Sequence, residues 1–94
     1  MDEQKNPSKV DSVIINDDAE APTLLNPFTG QILITNRVGK RIIELADGSR
    51  TVEDIARQVS REFKGVQEPL VKLHAETFLA AATQKGIVTW TARS

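Results

Sequence analysis

Apolar and polar residues form short runs in the first third of the chain and recur at helical spacing after it. Three short apolar runs come first: Val10 to Ile15, Thr23 to Leu25, and Gln31 to Thr35. Residues 26–30, Asn-Pro-Phe-Thr-Gly, separate the second run from the third and carry the proline and glycine of a hairpin loop. This pattern predicts three short strands in an antiparallel sheet.

Two helices follow, and the segment Asp47-Gly48-Ser49-Arg50-Thr51 joins them. Asn36 can cap the first helix through its side-chain oxygen, and the glycine of the joint supplies the positive φ that commonly ends a helix. Thr51 can cap the second helix; Asp54 stands where a capping box usually has glutamate, which leaves the reciprocal bond open. Arg50 is expected to pair with Asp47 or with a helix C-terminus. We interpret the joint as structural and expect the working surface elsewhere.

A third helix begins near Glu68, has Pro69 in its first turn and runs to Lys85. Residues 87–90 predict a short closing strand. The predicted fold is α+β and winged-helix-like: a three-stranded antiparallel sheet followed by three helices and a short final strand. Residues 10–90 are predicted to form one domain, with a flexible N-terminal tail over residues 1–9 and a C-terminal tail over residues 91–94.

The overall composition narrows the class of function. The chain has 94 residues, 39% of them hydrophobic, which suits one globular domain. It has no cysteine, which excludes disulfides and thiolate metal sites. Twelve basic and thirteen acidic side chains give a net charge of −1, which argues against a nucleic-acid partner. Because there is no signal peptide and no apolar run of membrane-spanning length, we expect a cytoplasmic protein without a membrane partner.

Candidate chemistry is sparse. The chain has no Ser/His/Asp set in a plausible context, no P-loop, no GxGxxG and no metal motif, so we predict neither an enzyme nor a cofactor. His74, the single histidine, is interpreted as a helix residue satisfied by a neighbour, with contact to a bound partner as the alternative. Arg37, Lys40 and Arg41 form a basic cluster that is either a solvated face or a docking point for an acidic partner. Trp90 is expected to pack over the helices, with contact to a partner near the C-terminal tail as the alternative.

The third helix has apolar residues on two faces of a helical wheel. The first face is assigned to the core and consists of Val71, Ala75, Phe78, Leu79 and Ala82. The second face lies well over 90° away and consists of Leu70, Leu73, Thr77 and Ala81. Either the sheet covers this second face, or sheet and helix border a groove that receives the side chains of a partner.

The run from Gln31 to Thr35 is the predicted edge of the sheet, and none of its five residues is charged. Ile32 and Ile34 point to one side of the strand and Leu33 to the other. Soluble proteins usually blunt an apolar edge with charge. An edge left open is typical of β-augmentation, in which a partner peptide adds as a further strand.

Residues 36–55 resemble the signature of PqqD-like proteins. Asn36 and Gly39 match the Asn-x-x-Gly helix start, and Asp47 to Ile55 match Asp-Gly-x-x-Thr-x-x-x-Ile. Phe63, the Phe78-Leu79 pair and Lys85-Gly86-Ile87-Val88 extend the resemblance over about residues 10 to 90. The departures are Thr35, Ile43 and Ala46, where the family often has leucine, tryptophan and leucine, and His74, where it commonly has aspartate.

The resemblance implies a peptide chaperone, also called a RiPP recognition element, with no catalytic activity of its own. Such proteins bind the leader of a ribosomally made precursor peptide and present it to a modifying enzyme, often a radical S-adenosylmethionine enzyme. The leader is expected to add to the sheet edge beside the third helix. The predicted peptide-binding residues are Ile32, Leu33, Ile34, Thr35, Leu70, Leu73, His74, Thr77 and Ala81.

A winged-helix DNA-binding regulator is the alternative, since it has the same order of elements. A recognition helix should direct Arg, Lys, Asn or Gln toward the bases, whereas the third helix here is apolar on two faces. The sequence therefore favours the peptide-binding function.

Overall fold

The computed structural model describes residues 5–17 and 21–92. The order of three strands, three helices and a final strand is as predicted, with one further strand at the start. In chain order the elements are β1 (Lys5–Lys9), β2 (Ile14–Asn16), β3 (Thr23–Leu25), β4 (Ile32–Ile34), α1 (Arg37–Leu45), α2 (Val52–Glu62), α3 (Glu68–Gln84) and β5 (Val88–Ala92).

The strands form two antiparallel sheets. The three-stranded sheet has the order β2-β3-β4, and the second sheet pairs β1 with β5. In the three-stranded sheet Leu24 lies opposite Ile15 on one side and Leu33 on the other. This row faces the core, since Leu24 is fully buried and its two partners are half-buried. The predicted antiparallel sheet is confirmed, although the first run forms a strand only over 14–16, because residues 10–13 make a turn.

The prediction of a flexible tail over residues 1–9 is wrong for residues 5–9, which form β1. Asn6 and Pro7 are buried there. The strand is held on one edge by β5 and on the other by the α1–α2 joint, where the Gly48 N–H donates to the Pro7 carbonyl at 3.0 Å. These partners are more than 40 residues away in sequence, so local polarity gives no sign of them. Residues 1–4 lie outside the described residues, and β5 extends into the expected C-terminal tail as far as Ala92.

The N-termini of α1 and α2 and the joint between these helices have the side-chain bonds that the sequence predicts. The Asn36 side chain accepts from the Gly39 N–H at 2.9 Å and caps α1. Both bonds of the capping box are present at α2: the Asp54 N–H donates to Thr51 Oγ1 at 3.0 Å, and the Thr51 N–H donates to Asp54 Oδ2 at 3.2 Å. Arg50 meets both of its expected partners, Asp47 Oδ2 at 2.9 Å and the Leu45 carbonyl at 3.3 Å.

One hydrophobic core lies between the three-stranded sheet and the helices. Its fully buried large side chains include Leu24 from the sheet, Ile42 and Ile43 from α1, Ile55 from α2 and Leu79 from α3. Each such side chain contributes about 1.5–3 kcal/mol when it leaves water. At the margin, Trp90 packs against this core as expected and donates from Nε1 to Thr83 Oγ1 at 2.8 Å. The core fixes the position of α3 relative to β4.

Candidate functional site

The backbone of β4 has one paired edge and one free edge. The Asn26 N–H donates to the Gln31 carbonyl at 3.0 Å, and the Thr35 N–H donates to the Pro22 carbonyl at 2.9 Å. Antiparallel ladders alternate between bonded and non-bonded pairs, so Leu33 directs its N–H and C=O toward β3. Ile32 and Ile34 direct theirs away from it. No described strand pairs with that side, which leaves two donors and two acceptors in a row.

The side chains along this edge are apolar and accessible. Ile34 is 69% exposed and Ile32 is 51% exposed, while Leu33 and Thr35 are half-buried. The whole stretch from Ala21 to Asn36 contains no charged residue. Nothing in the sequence of β4 therefore discourages another strand from pairing with it.

The two faces of α3 differ in burial as the helical wheel predicts. On the first face Val71, Ala75, Leu79 and Ala82 are buried, and Phe78 is half-buried. On the second face the two leucines remain in solvent, with Leu70 60% and Leu73 61% exposed. The alternative in which the sheet covers this face is wrong.

A first pocket, called the inner pocket below, lies between the start of α1 and the middle of α3. Its volume is about 200 Å³. Thr35, directly after β4, and Phe78, on α3, both line it. Its full lining is Thr35, Asn36, Val38, Gly39, Ile42, His74, Thr77 and Phe78. The inner pocket therefore opens where β4 passes into α1.

A second pocket, called the outer pocket, adjoins the first toward the N-terminus of α3. It has a volume of about 490 Å³. Five of its seven lining residues are aliphatic, namely Val38, Val66, Leu70, Val71 and Leu73, and the other two are Asn36 and His74. Asn36, Val38 and His74 line both pockets. The two pockets thus form one continuous depression, called the groove, which begins beside the free edge of β4.

The predicted site residues fall into three positions. Ile32, Leu33 and Ile34 form the edge strand itself. Thr35, Thr77, Leu70, Leu73 and His74 line the groove. Ala81 is half-buried and lines neither pocket, so the structure does not bring it together with the others.

Comparison of the sequence with models of known protein families identifies the family to which the chain belongs. The family model of coenzyme PQQ synthesis protein D (PqqD) matches residues 23–88 of the 94. The chain belongs to the PqqD family. The matched part contains β3, β4, all three helices and every residue of the groove.

Two solved structures share the PqqD fold of this chain. One is TbiB1 in complex with the TbiA(beta) leader peptide: it is 26% identical, the alignment covers 86% of this chain and 93% of that one, and the TM-score is 0.69. The other is lasso peptide synthetase B1 complexed with its leader peptide, 12% identical, covering 89% and 98%, with a TM-score of 0.71. No curated protein matches the chain. The second likeness supports the fold only.

Seven groove residues of this PqqD-family protein lie outside the predicted binding set: Asn36, Val38, Gly39, Ile42, Val66, Val71 and Phe78. Gly39 has a packing reason to be glycine, because a Cβ there would overlap Thr35 Oγ1 and lie 3.3 Å from Phe78 Cε1. Its absent side chain makes room for Thr35 and Phe78, which both line the inner pocket. The Asn-x-x-Gly spacing that marks the family was therefore the available signal for this part of the site.

His74 lies on the exposed surface of α3. It forms no hydrogen bond to the described part of the chain, so the interpretation that a neighbour satisfies it is not supported. It borders both pockets instead.

The basic cluster on α1 is largely neutralised within the molecule. Lys40 Nζ lies 2.6 Å from Asp17 Oδ2, and this hydrogen bond raises the pKa of Lys40. Arg41 donates from Nε to Glu62 Oε1 at 2.7 Å and from Nη2 to Glu62 Oε2 at 2.9 Å. These bonds, with a further one from Gln58, lower the pKa of Glu62 to about 2. Arg37 alone of the three forms no salt bridge to a described residue.

The described residues, 5–17 and 21–92, lack two further kinds of functional feature. No three or more His, Asp or Glu side chains come together as metal ligands. No helix there has the length and apolar character needed to cross a membrane.

Proposed function

We propose that this protein is a noncatalytic peptide chaperone that binds the leader of a ribosomally synthesised precursor peptide. In this proposal the leader adds as a strand to the free edge of β4, and its side chains on one face enter the groove. The observation that carries the proposal is the free edge itself, with its two donors and two acceptors next to an apolar groove. The structural neighbour that is 26% identical, TbiB1, is a complex with a leader peptide, which supports the same conclusion.

The affinity must come from both parts of the site. Each backbone hydrogen bond contributes a net of about 0.5–1.5 kcal/mol, so four bonds supply roughly 2–6 kcal/mol. Association and ordering of a flexible peptide cost about as much or more. Apolar side chains in the groove add about 1.5–3 kcal/mol each. Specific binding therefore requires at least one large apolar anchor of the leader in the groove.

A modifying enzyme is the second partner in this proposal. Presentation of a leader has a purpose only if an enzyme then acts on the rest of the precursor. Neither of the two leader-peptide complexes includes a radical S-adenosylmethionine enzyme in its name, so the proposal does not specify that class. Because ribosomes make the precursor in the cytoplasm, we propose the cytoplasm as the site of binding.

The comparisons do not favour a winged-helix DNA-binding regulator. The exposed face of α3 also argues against it, since it offers Leu70 and Leu73 where a recognition helix needs basic or amide side chains. Salt separates the two functions experimentally. Nucleic-acid binding weakens steeply with added salt, whereas strand addition to an uncharged edge should change little.

Amide hydrogen exchange followed by NMR tests the proposed mode of binding. On titration with the leader of the cognate precursor, the amides of Ile32 and Ile34 should become protected, because their N–H groups are free without the peptide. The Leu33 amide is the internal control, since β3 already protects it. Leader binding without new protection at Ile32 and Ile34 would contradict strand addition.

A further inference from the structure

The face of the three-stranded sheet that points away from the core carries one apolar row beside a second row that contains Asn16 and Thr23. Ile14, Leu25 and Ile32 lie opposite one another across the three strands, so their side chains share one side of the sheet. Ile34, two residues along β4, lies on the same side. Ile14 is 52% exposed, Ile32 51% and Ile34 69%. These four residues are called the outer face below.

An exposed aromatic residue stands at the end of this sheet. Phe28, in the β3–β4 loop, is 85% exposed. Its loop is nevertheless well ordered by hydrogen bonds: the Phe28 N–H donates to Asn26 Oδ1 at 2.9 Å, and the Asn26 side chain donates to the Gly86 carbonyl at 2.8 Å. A single exposed apolar side chain is ordinary, but Phe28 lies in the loop that joins Leu25 to Ile32, and contiguous apolar patches mark interaction sites.

The outer face is continuous with the edge that binds the leader. A strand added at β4 becomes the fourth strand of the same sheet, and its side chains alternate between the groove and the outer face. The groove shelters one half of them. The other half extends the row from Ile14 to Ile32 by one strand, and the described chain offers it no cover. No charged residue occurs between Ala21 and Asn36 to oppose an apolar partner.

We propose that the outer face, together with Phe28 and the outward side chains of the bound leader, is the docking surface for the modifying enzyme. This inference rests on the proposed function. The enzyme contributes an uncharged apolar patch, and it recognises the carrier most strongly when the leader completes the surface. One part of this surface belongs to the carrier and the other part to the bound leader, so the enzyme contacts both in a single interface. This explains how a noncatalytic carrier presents a peptide.

The position of Ile14 allows docking to be tested apart from leader binding. β2 is separated from the leader strand by β3 and β4, which is about 14 Å at the usual strand spacing. The variants are Ile14→Lys and Phe28→Ala. Thr89→Lys is the matched control, because Thr89 is exposed and lies on β5 of the other sheet. The probe is the purified enzyme that modifies the cognate precursor, with binding measured by calorimetry with and without saturating leader.

Both variants should bind the leader within about twofold of the wild-type affinity, and both should bind the enzyme roughly tenfold more weakly when the leader is present. Thr89→Lys should match the wild type in both measurements. The inference is overturned if Ile14→Lys and Phe28→Ala leave enzyme binding unchanged, or if the leader does not increase enzyme affinity. It is also overturned if sedimentation shows that this face instead pairs two copies of the chain. Failure of the leader titration itself would remove the proposed function, so the two failures are distinguishable.

Discussion

Ile34 and Leu33 are neighbours with opposite backbone roles, and this difference gives the sharpest test of the site. Ile34→Pro removes one of the two free donors on an edge strand, where proline is tolerated. Leader affinity should fall about tenfold or more, since a bond is lost and the strand can no longer pair continuously, while the circular dichroism of the helices should stay unchanged. Leu33→Pro should instead lower the stability, because it breaks the ladder with β3.

The control for Ile34→Pro is Ile34→Ala, which shortens the side chain and keeps the N–H. Isothermal titration with the leader should show that the alanine variant binds more tightly than the proline variant. Equal affinities would mean that the side chain of Ile34, and not its backbone, makes the contact.

Gly39 is the second residue at which one atom decides the shape of the site. In Gly39→Ala the new Cβ overlaps Thr35 Oγ1 and approaches Phe78 Cε1, so Thr35 must turn and the inner pocket must narrow. We expect leader affinity to fall about tenfold. Stability should change by roughly 1 kcal/mol or less, because the helix propensity of alanine offsets part of the crowding.

The double variant Gly39→Ala/Thr35→Ala serves as a rescue. It removes the overlapping Thr35 oxygen and should recover part of the lost affinity in the same titration. A single variant that binds the leader normally would show that the inner pocket is not used.

At the scale of the elements, the Arg41–Glu62 pair joins α1 to α2 and makes stability depend on pH. Glu62 has a pKa of about 2 in the folded protein, below its ordinary value of 4.5, because Arg41 and Gln58 donate to it. Its contribution to stability is therefore fully present above about pH 4.5 and is lost as the pH falls toward 2. Asp47, whose pKa is lowered chiefly by the hydrogen bond from Ser49, acts in the same direction.

Thermal unfolding of Glu62→Gln checks this dependence. The variant should melt below the wild type at pH 7, and the difference should shrink as the pH approaches 2. Glu76→Gln is the control, since it removes an exposed carboxylate of α3 that makes no ion pair in the described structure. A difference for Glu62→Gln that does not vary with pH would exclude the carboxylate as its cause.

The elements that sequence predicts well are those whose causes are local. α1 and α2 begin at Asn36 and Thr51, where a cap and the groups it binds lie within three residues. The second face of α3 was also visible from spacing alone, although only the structure shows that Leu70 stays in solvent. β1 was missed because its buried Asn6 is stabilised by Gly48, 42 residues later. The pattern of neighbouring residues does not indicate a contact with a residue so distant in the sequence.

Over the whole molecule, the sequence predicts which residues of the candidate site are exposed, but it does not predict the groove that they border. The edge strand and the exposed helix face follow from periodicity and from the absence of charge. The groove depends on how closely α1 approaches α3, which is set by the absent side chain of Gly39 and by Phe78. The contribution of Val66 to the outer pocket depends on the path of the α2–α3 loop. Such distances arise from tertiary packing, so sequence spacing does not give them.

The position of β1, away from the groove and paired with β5, leads to a last prediction. β1 lines neither pocket of the groove, yet it pairs with β5 over five residues and bonds to the α1–α2 joint through Lys9, Pro7 and Asn6. Removing residues 1–9 should therefore lower the free energy of unfolding by at least about 3 kcal/mol, at roughly 1 kcal/mol for each lost hydrogen bond. The folded fraction should bind the leader with unchanged affinity.

Urea unfolding measures the stability of the shortened chain, and leader titration measures its affinity. Asn6→Ala should give a smaller loss of stability in the same direction, of about 1 kcal/mol. An unchanged urea midpoint after the deletion would mean that β1 does not support the fold. A weaker leader affinity of the fully folded variant would mean that β1 also contributes to the leader site.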